Sequence, residues 1–243
     1  MTPSYRVSLS IVSHGQGHLI KYLLEDSRSF TGPNFEILLT INIPEDMSFL
    51  SDFKDLQITV IENLQPKGFG ENHNAAFACS RGELFAIVNP DIRAPKLDLT
   101  ALTSVAASPK VGACAPRVLS AAGTTEDSAR RFPTIPRLLK RVLLRRKSPD
   151  YDLSSRSQVP VDWVAGMFVV FPRATYQTVG GFDTRYFMYM EDADICRRLR
   201  RRGYEIIVDG STSVIHDARR ASRRNLQHLS WHARSALRFL TGL

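Results

Sequence analysis

The first 95 residues alternate between short apolar runs and amphipathic stretches. Val7 to Ser13 (VSLSIVS) is an apolar, β-branched run that ends in the glycine-rich His14-Gly15-Gln16-Gly17-His18. Leu19, Ile20, Leu23 and Leu24 then recur at helical spacing, so the unit reads as strand, turn, helix. A second strand is expected over Phe35 to Ile43, closed by Pro44. A third covers Ile58 to Glu62 and precedes Asn63 and the turn-rich Pro66-Lys67-Gly68-Phe69-Gly70. Asn72 to Cys79 reads as a helix, and Leu84 to Val88 as a fourth strand that stops at Asn89-Pro90-Asp91. Strands alternating with helices imply a mostly parallel sheet covered on both faces. Polar residues gather just after the strand ends, at Ser13, Asn42, Asn63 and Asn89 to Asp91, and in an open parallel sheet that edge binds ligands.

The second half has a different pattern. Val111 to Pro116 reads as a strand, and Ser148 to Pro160 is polar and reads as loop. Asp162 to Pro172 (DWVAGMFVVFP) reads as one buried strand bent at Gly166. Asp192 to Arg202 carries Ile195 and Leu199 one turn apart and ends at Gly203, as a helix with a glycine C-terminal cap should. Glu205 to Val208 returns as a strand, Ser213 to Ile215 is strand-like, and Asn225 to Leu240 forms a final basic helix. No repeat and no linker divides the chain, so one α/β domain is expected.

Composition narrows the class. With 43% apolar residues, 14 glycines and 13 prolines in 243, the chain is not disordered. Cys79, Cys114 and Cys196 match neither a disulfide scaffold nor a zinc site, which favours a reducing compartment. No stretch approaches the ~18 uncharged apolar residues of a transmembrane helix, so a soluble, cytoplasmic protein or one bound at a membrane surface is expected. The net charge of +8 is local, because Arg130 to Lys147 contains eight basic residues and no acid. Nucleic acid, an anionic membrane and a phosphorylated substrate all attract such a segment. No zinc spacing, helix-turn-helix cue or RNA-recognition motif accompanies it, so nucleic acid is not expected.

The sharpest local feature is Glu191-Asp192-Ala193-Asp194, which follows Tyr186-Phe187-Met188-Tyr189-Met190. Asp192 or Asp194 can cap the helix and complement its dipole. A carboxylate against aromatic walls can instead act as a general base, since desolvation raises its pKa while the helix terminus lowers it. Asp91, just beyond a parallel strand, can hold a divalent cation near a diphosphate, or Asn89-Pro90-Asp91 can be a plain turn. His216 is a lone histidine in a strand-like stretch, either structural or a ligand. His14 and His18 are four apart, but glycines at 15 and 17 argue against the helix that a metal pair would need.

These features assemble into a recognisable order. Asp162 to Tyr204 (DWVAGMFVVFPRATYQTVGGFDTRYFMYMEDADICRRLRRRGY) resembles the acceptor half of glycosyltransferase family 2 enzymes with the GT-A fold, a Rossmann-like α/β architecture. It is most similar to the bacterial rhamnosyltransferase subgroup. There a Trp-x-x-Gly strand, a GGFD turn, an aromatic stretch and an ED-x-D-x-C-x-R helix follow in that order. Upstream, Ser10 to Ser13, Gly68-Phe69-Gly70 with Asn74, and Asn89-Pro90-Asp91 match the first strand, the GFG-x-x-x-N segment and the metal-binding Asp-x-Asp position. The likeness runs from about residue 7 to 216.

The resemblance implies a nucleotide-sugar half (1–95), an acceptor and catalytic half (96–218) and a C-terminal basic helix (219–243). It implies donor contacts at Ser13, Asn42, Asn63, Asn74, Asn89 and Asp91, and a Mg²⁺ or Mn²⁺ ion at Asp91 and His216. Asp192 matches the catalytic base, with Glu191 beside it, while Trp163 and Gly166 fall where the family shapes the sugar and acceptor cleft. The expected reaction is inverting transfer from a dTDP or UDP sugar, best dTDP-L-rhamnose, to a glycan on a polyprenyl diphosphate in bacterial surface polysaccharide synthesis. A sugar nucleotidyltransferase would bind similar ligands, but it should open on a GxGTR-like loop, and His14 to His18 lacks that arginine. In Pro136 to Lys147, Leu138, Leu139, Val142 and Leu143 form one stripe. Arg137, Lys140, Arg141, Arg145, Arg146 and Lys147 surround it, a pattern that suits the anionic inner face of a plasma membrane.

Overall fold

Alternation along the strands sets the two faces of the fold. The computed structural model describes residues 6–95, 97–134, 136–137, 149–155, 157–217 and 226–242. Within them β1 (Val7–Ser13), α1 (Gly17–Ser27), β2 (Phe35–Ile41), a 3-10 helix (Ser48–Phe53), β3 (Ile58–Glu62), α2 (Phe69–Cys79) and β4 (Leu84–Val88) follow the periodicity of the first half. Val7, Leu9 and Ile11 point to one face and pack on Leu23 and Leu24 of α1 and Leu102 of α3 (Leu99–Ala106). Phe85 and Ile87 of β4 point to the other, against Ala76 of α2 and a second group of helices. That group comprises α4 (Arg173–Thr178), α5 (Glu191–Arg201) and α6 (Leu226–Thr241). Each fully buried leucine or phenylalanine in these layers contributes ~1.5–3 kcal/mol, so the two-sided pattern alone commits the chain to a covered sheet.

The nine-stranded sheet runs in the order β3-β2-β1-β4-β10-β6-β11-β5, with β8 (Gln158–Val161) also on β11. Here β5 is Ile92–Arg93, β6 Val111–Ser120, β10 Phe168–Pro172 and β11 Glu205–His216. Strands β3, β2, β1 and β4 are parallel, as are β6 and β11. Between those two runs β10 is antiparallel to both neighbours, and β5 and β8 are antiparallel to β11. The second half is therefore more mixed than strand and helix alternation implies. Strands β2 and β3 lie to one side of β1 and β4 to the other, so a topological switch point opens at their carboxyl ends.

Three local expectations change. Asp162 to Pro172 is not one strand. Trp163–Val164 forms β9, paired in a separate small sheet with β7 (Ala129–Arg130), and the chain turns at 165–167 before entering the main sheet as β10. The end of the stretch read as loop, Gln158 to Pro160, joins Val161 in β8 because β11 offers it an open edge. Glu205 to His216 is one strand in which the register slips between Asp209 and Ser213, so the apparent gap is a bulge rather than a break. Among the described residues no helix is long and apolar enough to cross a membrane.

Candidate active site

The carboxyl ends of β1, β2 and β3 carry Ser13, Asn42 and Asn63, at the edge expected for a donor. Asn42 Oδ1 accepts from the Lys67 backbone N–H at 2.8 Å and from Asn63 Nδ2 at 2.9 Å. Its Nδ2 donates to the Lys67 carbonyl at 3.0 Å and lies 3.1 Å from His14 Nδ1. Asn63 Nδ2 also donates to Asn72 Oδ1 at 2.6 Å, and Ser13 Oγ accepts from the Gln16 N–H at 3.2 Å. These side chains hold the loops of the edge in shape, and the exposed His14 stands at its rim. Asn74 does not belong with them. Its Oδ1 accepts from Tyr176 Oη at 2.7 Å and the Phe182 N–H at 2.9 Å, and its Nδ2 donates to the Phe182 carbonyl at 2.8 Å. With both ends of the amide committed, it clamps the GGFD turn onto α2 instead of lining the donor edge.

Asp91 and His216, 125 residues apart, meet because β5 runs antiparallel to the end of β11 and sets Ile92 opposite His216. His216 Nε2 lies 3.2 Å from Asp91 Oδ2, and its Nδ1 lies 2.8 Å from Glu126 Oε2. Burial works against the imidazolium, but hydrogen bonds and charge from Asp91 and Glu126 outweigh it and raise the His216 pKa to about 9. Asp91 Oδ1 is buried with no hydrogen-bond partner. A bidentate pair from Arg93 to Asp26 (2.7 and 2.8 Å), with the Ala94 N–H on the same carboxylate, fixes β5 against α1 and so fixes Asp91. Among the described residues no group of three or more His, Cys, Asp or Glu is disposed to hold a metal by itself.

Asp192 sits in the first turn of α5. Met190 is the cap residue, in a left-handed conformation like Tyr189 before it (φ 67° and 73°). Neither Asp192 nor Asp194 caps the helix. Asp194 is held instead by Arg197 at 3.1 Å and Arg198 at 2.6 Å. Asp192 Oδ1 accepts from the Ala193 N–H at 2.8 Å and Oδ2 from the Gly166 N–H at 3.1 Å. Desolvation raises its pKa and prevails over those hydrogen bonds and the nearby Arg130 charge, which lower it. The competition that the sequence leaves undecided thus goes to burial. Glu191 is a correction. It is 5% exposed, with Oε2 unpartnered, and burial followed by the Asp192 charge lifts its pKa well above the usual carboxylate range. It lies in the interior of the fold, behind Asp192.

The turn at 165–167 joins these pieces. The Ala165 N–H donates to the Ser128 carbonyl at 2.7 Å, the Gly166 N–H to Asp192, and the Asn89 N–H to the Met167 carbonyl at 2.8 Å. Three consecutive residues therefore tie together the Asn89-Pro90-Asp91 turn, Asp192 and the 126–130 segment. A Cβ on Gly166 would stand 3.0 Å from Phe69 Cζ, so glycine lets this turn lie close to the GFG segment. Trp163 differs from expectation: it is 6% exposed and donates from Nε1 to the Arg131 carbonyl at 3.1 Å. It supports the floor and carries Arg130, whose guanidinium lies 5.6 Å from the ring centre. Arg130 and Glu126 are the site residues that sequence reasoning missed. In the sequence Arg130 belongs to a run of basic residues, and nothing in the local pattern marks Glu126.

Helix α6 braces the strained segment ahead of Asp192. Tyr189 Oη pairs with His228 Nδ1 at 2.8 Å, its ring stacks on His232 at 4.5 Å, and Phe187 meets Trp231 at 4.8 Å. Gly68 accepts this segment closely, since a Cβ there would come 2.6 Å from the Phe187 carbonyl oxygen. Most of the basic stripe, Leu138 to Lys147, lies outside the described residues. A cavity of about 690 Å³ lined by Arg28, Phe30, Asn34, Asp55 and Gln57 opens at the opposite, amino edge of β2 and β3 and holds none of the carboxylates above.

Comparison with known proteins bears on the family and the fold. The family model described as Glycosyl transferase family 2 matches residues 8–161. N-acetylglucosaminyl-diphospho-decaprenol L-rhamnosyltransferase of Mycobacterium tuberculosis is 31% identical over 164 residues, which cover 63% of this chain and 53% of the relative. The chain thus spans about half the length of that protein. Rhamnosyltransferase WbbL of Escherichia coli K12 is 28% identical over 250 residues, covering 96% of this chain and 92% of the relative. Among solved structures, mannosyltransferase PcManGT from Pyrobaculum calidifontis, in complex with GDP-Man and Mn²⁺, aligns with a TM-score of 0.67 at 20% identity over 98% of this chain and 65% of its own. That likeness is one of fold, and the fold is GT-A.

Proposed function

The chain belongs to glycosyltransferase family 2, and from that premise we propose that it transfers a hexose, with inversion, from a nucleotide-diphospho sugar to a glycan hydroxyl. The observation that carries this reading is the 165–167 turn, which ties Asp192 and the Asn89-Pro90-Asp91 turn to one backbone. The acceptor oxygen loses its proton to the Asp192 carboxylate as it forms a bond to the anomeric carbon. The bond from that carbon to the diphosphate oxygen breaks, and its electron pair leaves with the nucleoside diphosphate. A base of raised pKa suits this step, since transfer to a group that titrates closer to neutrality contributes ~10²–10⁴-fold.

Asp91 and His216 are the residues that would hold a divalent cation. The buried, unpartnered Asp91 Oδ1 fits that role. So does the small donor set, because Mg²⁺ and Mn²⁺ usually combine one or two carboxylates with substrate phosphates. When bound, such an ion offsets charge on the departing diphosphate. The donor nucleotide is assigned to the edge formed by Ser13, Asn42, Asn63 and Asn89, with the sugar towards Gly166.

The names of the relatives support rhamnose as the transferred sugar, and that of the mycobacterial protein supports a polyprenyl-diphosphate-linked glycan as acceptor; dTDP as the carrier nucleotide rests on the resemblance of the sequence to the rhamnosyltransferase subgroup. The test is transfer from dTDP-L-rhamnose, against UDP sugars, to an N-acetylglucosaminyl-diphosphoryl lipid in Mn²⁺. Release of nucleoside diphosphate together with a rhamnosylated lipid is expected; release of pyrophosphate from a nucleoside triphosphate instead would mark a nucleotidyltransferase. The basic stripe of 137–147 supports a peripheral position at the anionic inner face of a plasma membrane. Flotation with anionic but not neutral liposomes is the expected result, and flotation unchanged by neutralising Arg141, Arg145 and Arg146 would contradict it.

A further inference from the structure

His216 ends β11, and its backbone is fixed by pairing with Ser120 of β6 and Ile92 of β5. What remains free is rotation of the imidazole and the choice of which nitrogen carries the proton. Glu126 addresses both. It lies on the connection between β6 and β7, where its N–H donates to the Val118 carbonyl at 2.9 Å and its carbonyl accepts from the Ser128 N–H at 2.8 Å. Its Oε2 is 2.8 Å from His216 Nδ1, while Nε2 on the opposite side of the ring is directed at Asp91.

We propose that Glu126 is a positioning residue for the cation site: it takes the hydrogen bond from His216 Nδ1–H, and so presents Nε2, together with Asp91, to a divalent ion. This rests on the reading that Asp91 and His216 hold such an ion. A histidine ligand gives up its metal-facing proton when the ion binds, and a carboxylate on the other nitrogen retains the remaining proton and fixes the ring orientation. The requirement is strict here because Asn89 stands at the first carboxylate position of the turn, so loss of one imidazole leaves a single anionic side chain. Glu126 follows the 119–125 turn, closed by the bridge of Leu119 with Thr125 and the Ser120 to Thr124 hydrogen bonds. Its side chain is thereby held at the Nδ1 edge of the ring.

The test separates hydrogen bonding from charge. Glu126→Gln keeps an acceptor of the same reach and removes the charge, whereas Glu126→Asp keeps the charge and is one methylene too short. Binding of Mn²⁺ alone to the full chain, read from loss of the free-ion paramagnetic resonance signal, should be nearly native in Glu126→Gln and ~10–100-fold weaker in Glu126→Asp. Native affinity in Glu126→Asp, or equal loss in both, would overturn the positioning role. Failure of the native chain to bind Mn²⁺ would overturn the cation reading and the proposal with it. The native chain supplies a second readout independent of any variant: with Mg²⁺ bound, imidazole nitrogen resonances should place the His216 proton on Nδ1. A proton on Nε2 would contradict the proposal.

Discussion

Asp192→Asn should lower sugar transfer by ~10²–10⁴-fold while leaving donor affinity and the fold intact. The amide still accepts one of the two backbone hydrogen bonds, from Ala193 or Gly166, and the desolvation of a buried charge disappears with the carboxylate. Thermal stability is therefore expected to hold or rise while turnover collapses. The same residue sets the acid side of the pH profile. As the proposed base Asp192 would act deprotonated, and its pKa is raised by burial, so the rate should fall on acidification at a higher pH than an exposed aspartate would give. Arg130 opposes that shift through its charge. Arg130→Met should therefore move the limb to still higher pH, and a profile that stays put would remove Arg130 from the account. Measured kcat and donor KM against pH for native, Asp192→Asn and Arg130→Met proteins check all three statements.

Asp91→Asn should fail differently. It removes the one carboxylate of the Asn89-Pro90-Asp91 turn and the partner of His216 Nε2, so both Mn²⁺ affinity and the hold on the donor diphosphate should weaken. Losing charge stabilisation at a leaving group costs on the order of 10²–10³-fold in rate, and here donor KM should rise as well. The two variants thus separate base from leaving-group assistance. Donor titration by calorimetry in Mn²⁺ should show binding retained in Asp192→Asn and weakened in Asp91→Asn. Retained donor binding in both would place Asp91 outside the site.

Much of this arrangement is legible in the chain. The parallel half follows from the apolar runs at β1, β2 and β4 with helices between them, and the polar residues at their ends do fall on one edge. Asp91, His216 and Asp192 are named from the resemblance; the sheet brings Asp91 and His216 together, whereas Asp192 is tied to the Asn89-Pro90-Asp91 turn only through residues 165–167. Residues whose roles are set by distant partners are not legible. Trp163 and Val164 form a strand only because Ala129 and Arg130 pair with them, so a continuous apolar run hides a turn at 165–167. Asn74 reads as a donor contact until Tyr176 and Phe182 are seen to consume its amide. Glu191 looks equivalent to Asp192, but one helical step sends it into the core. Glu126 sits in an unremarkable polar turn and acquires meaning only from a histidine 90 residues later.

The central claim is that one carboxylate, Asp192, deprotonates an acceptor that displaces the diphosphate directly. The anomeric configuration of the transferred sugar tests it most directly, read from the one-bond C1–H1 coupling in the product formed from dTDP-L-rhamnose and the N-acetylglucosaminyl-diphosphoryl lipid. A single in-line displacement predicts a configuration opposite to that of the donor; a product with the donor's configuration would contradict the account.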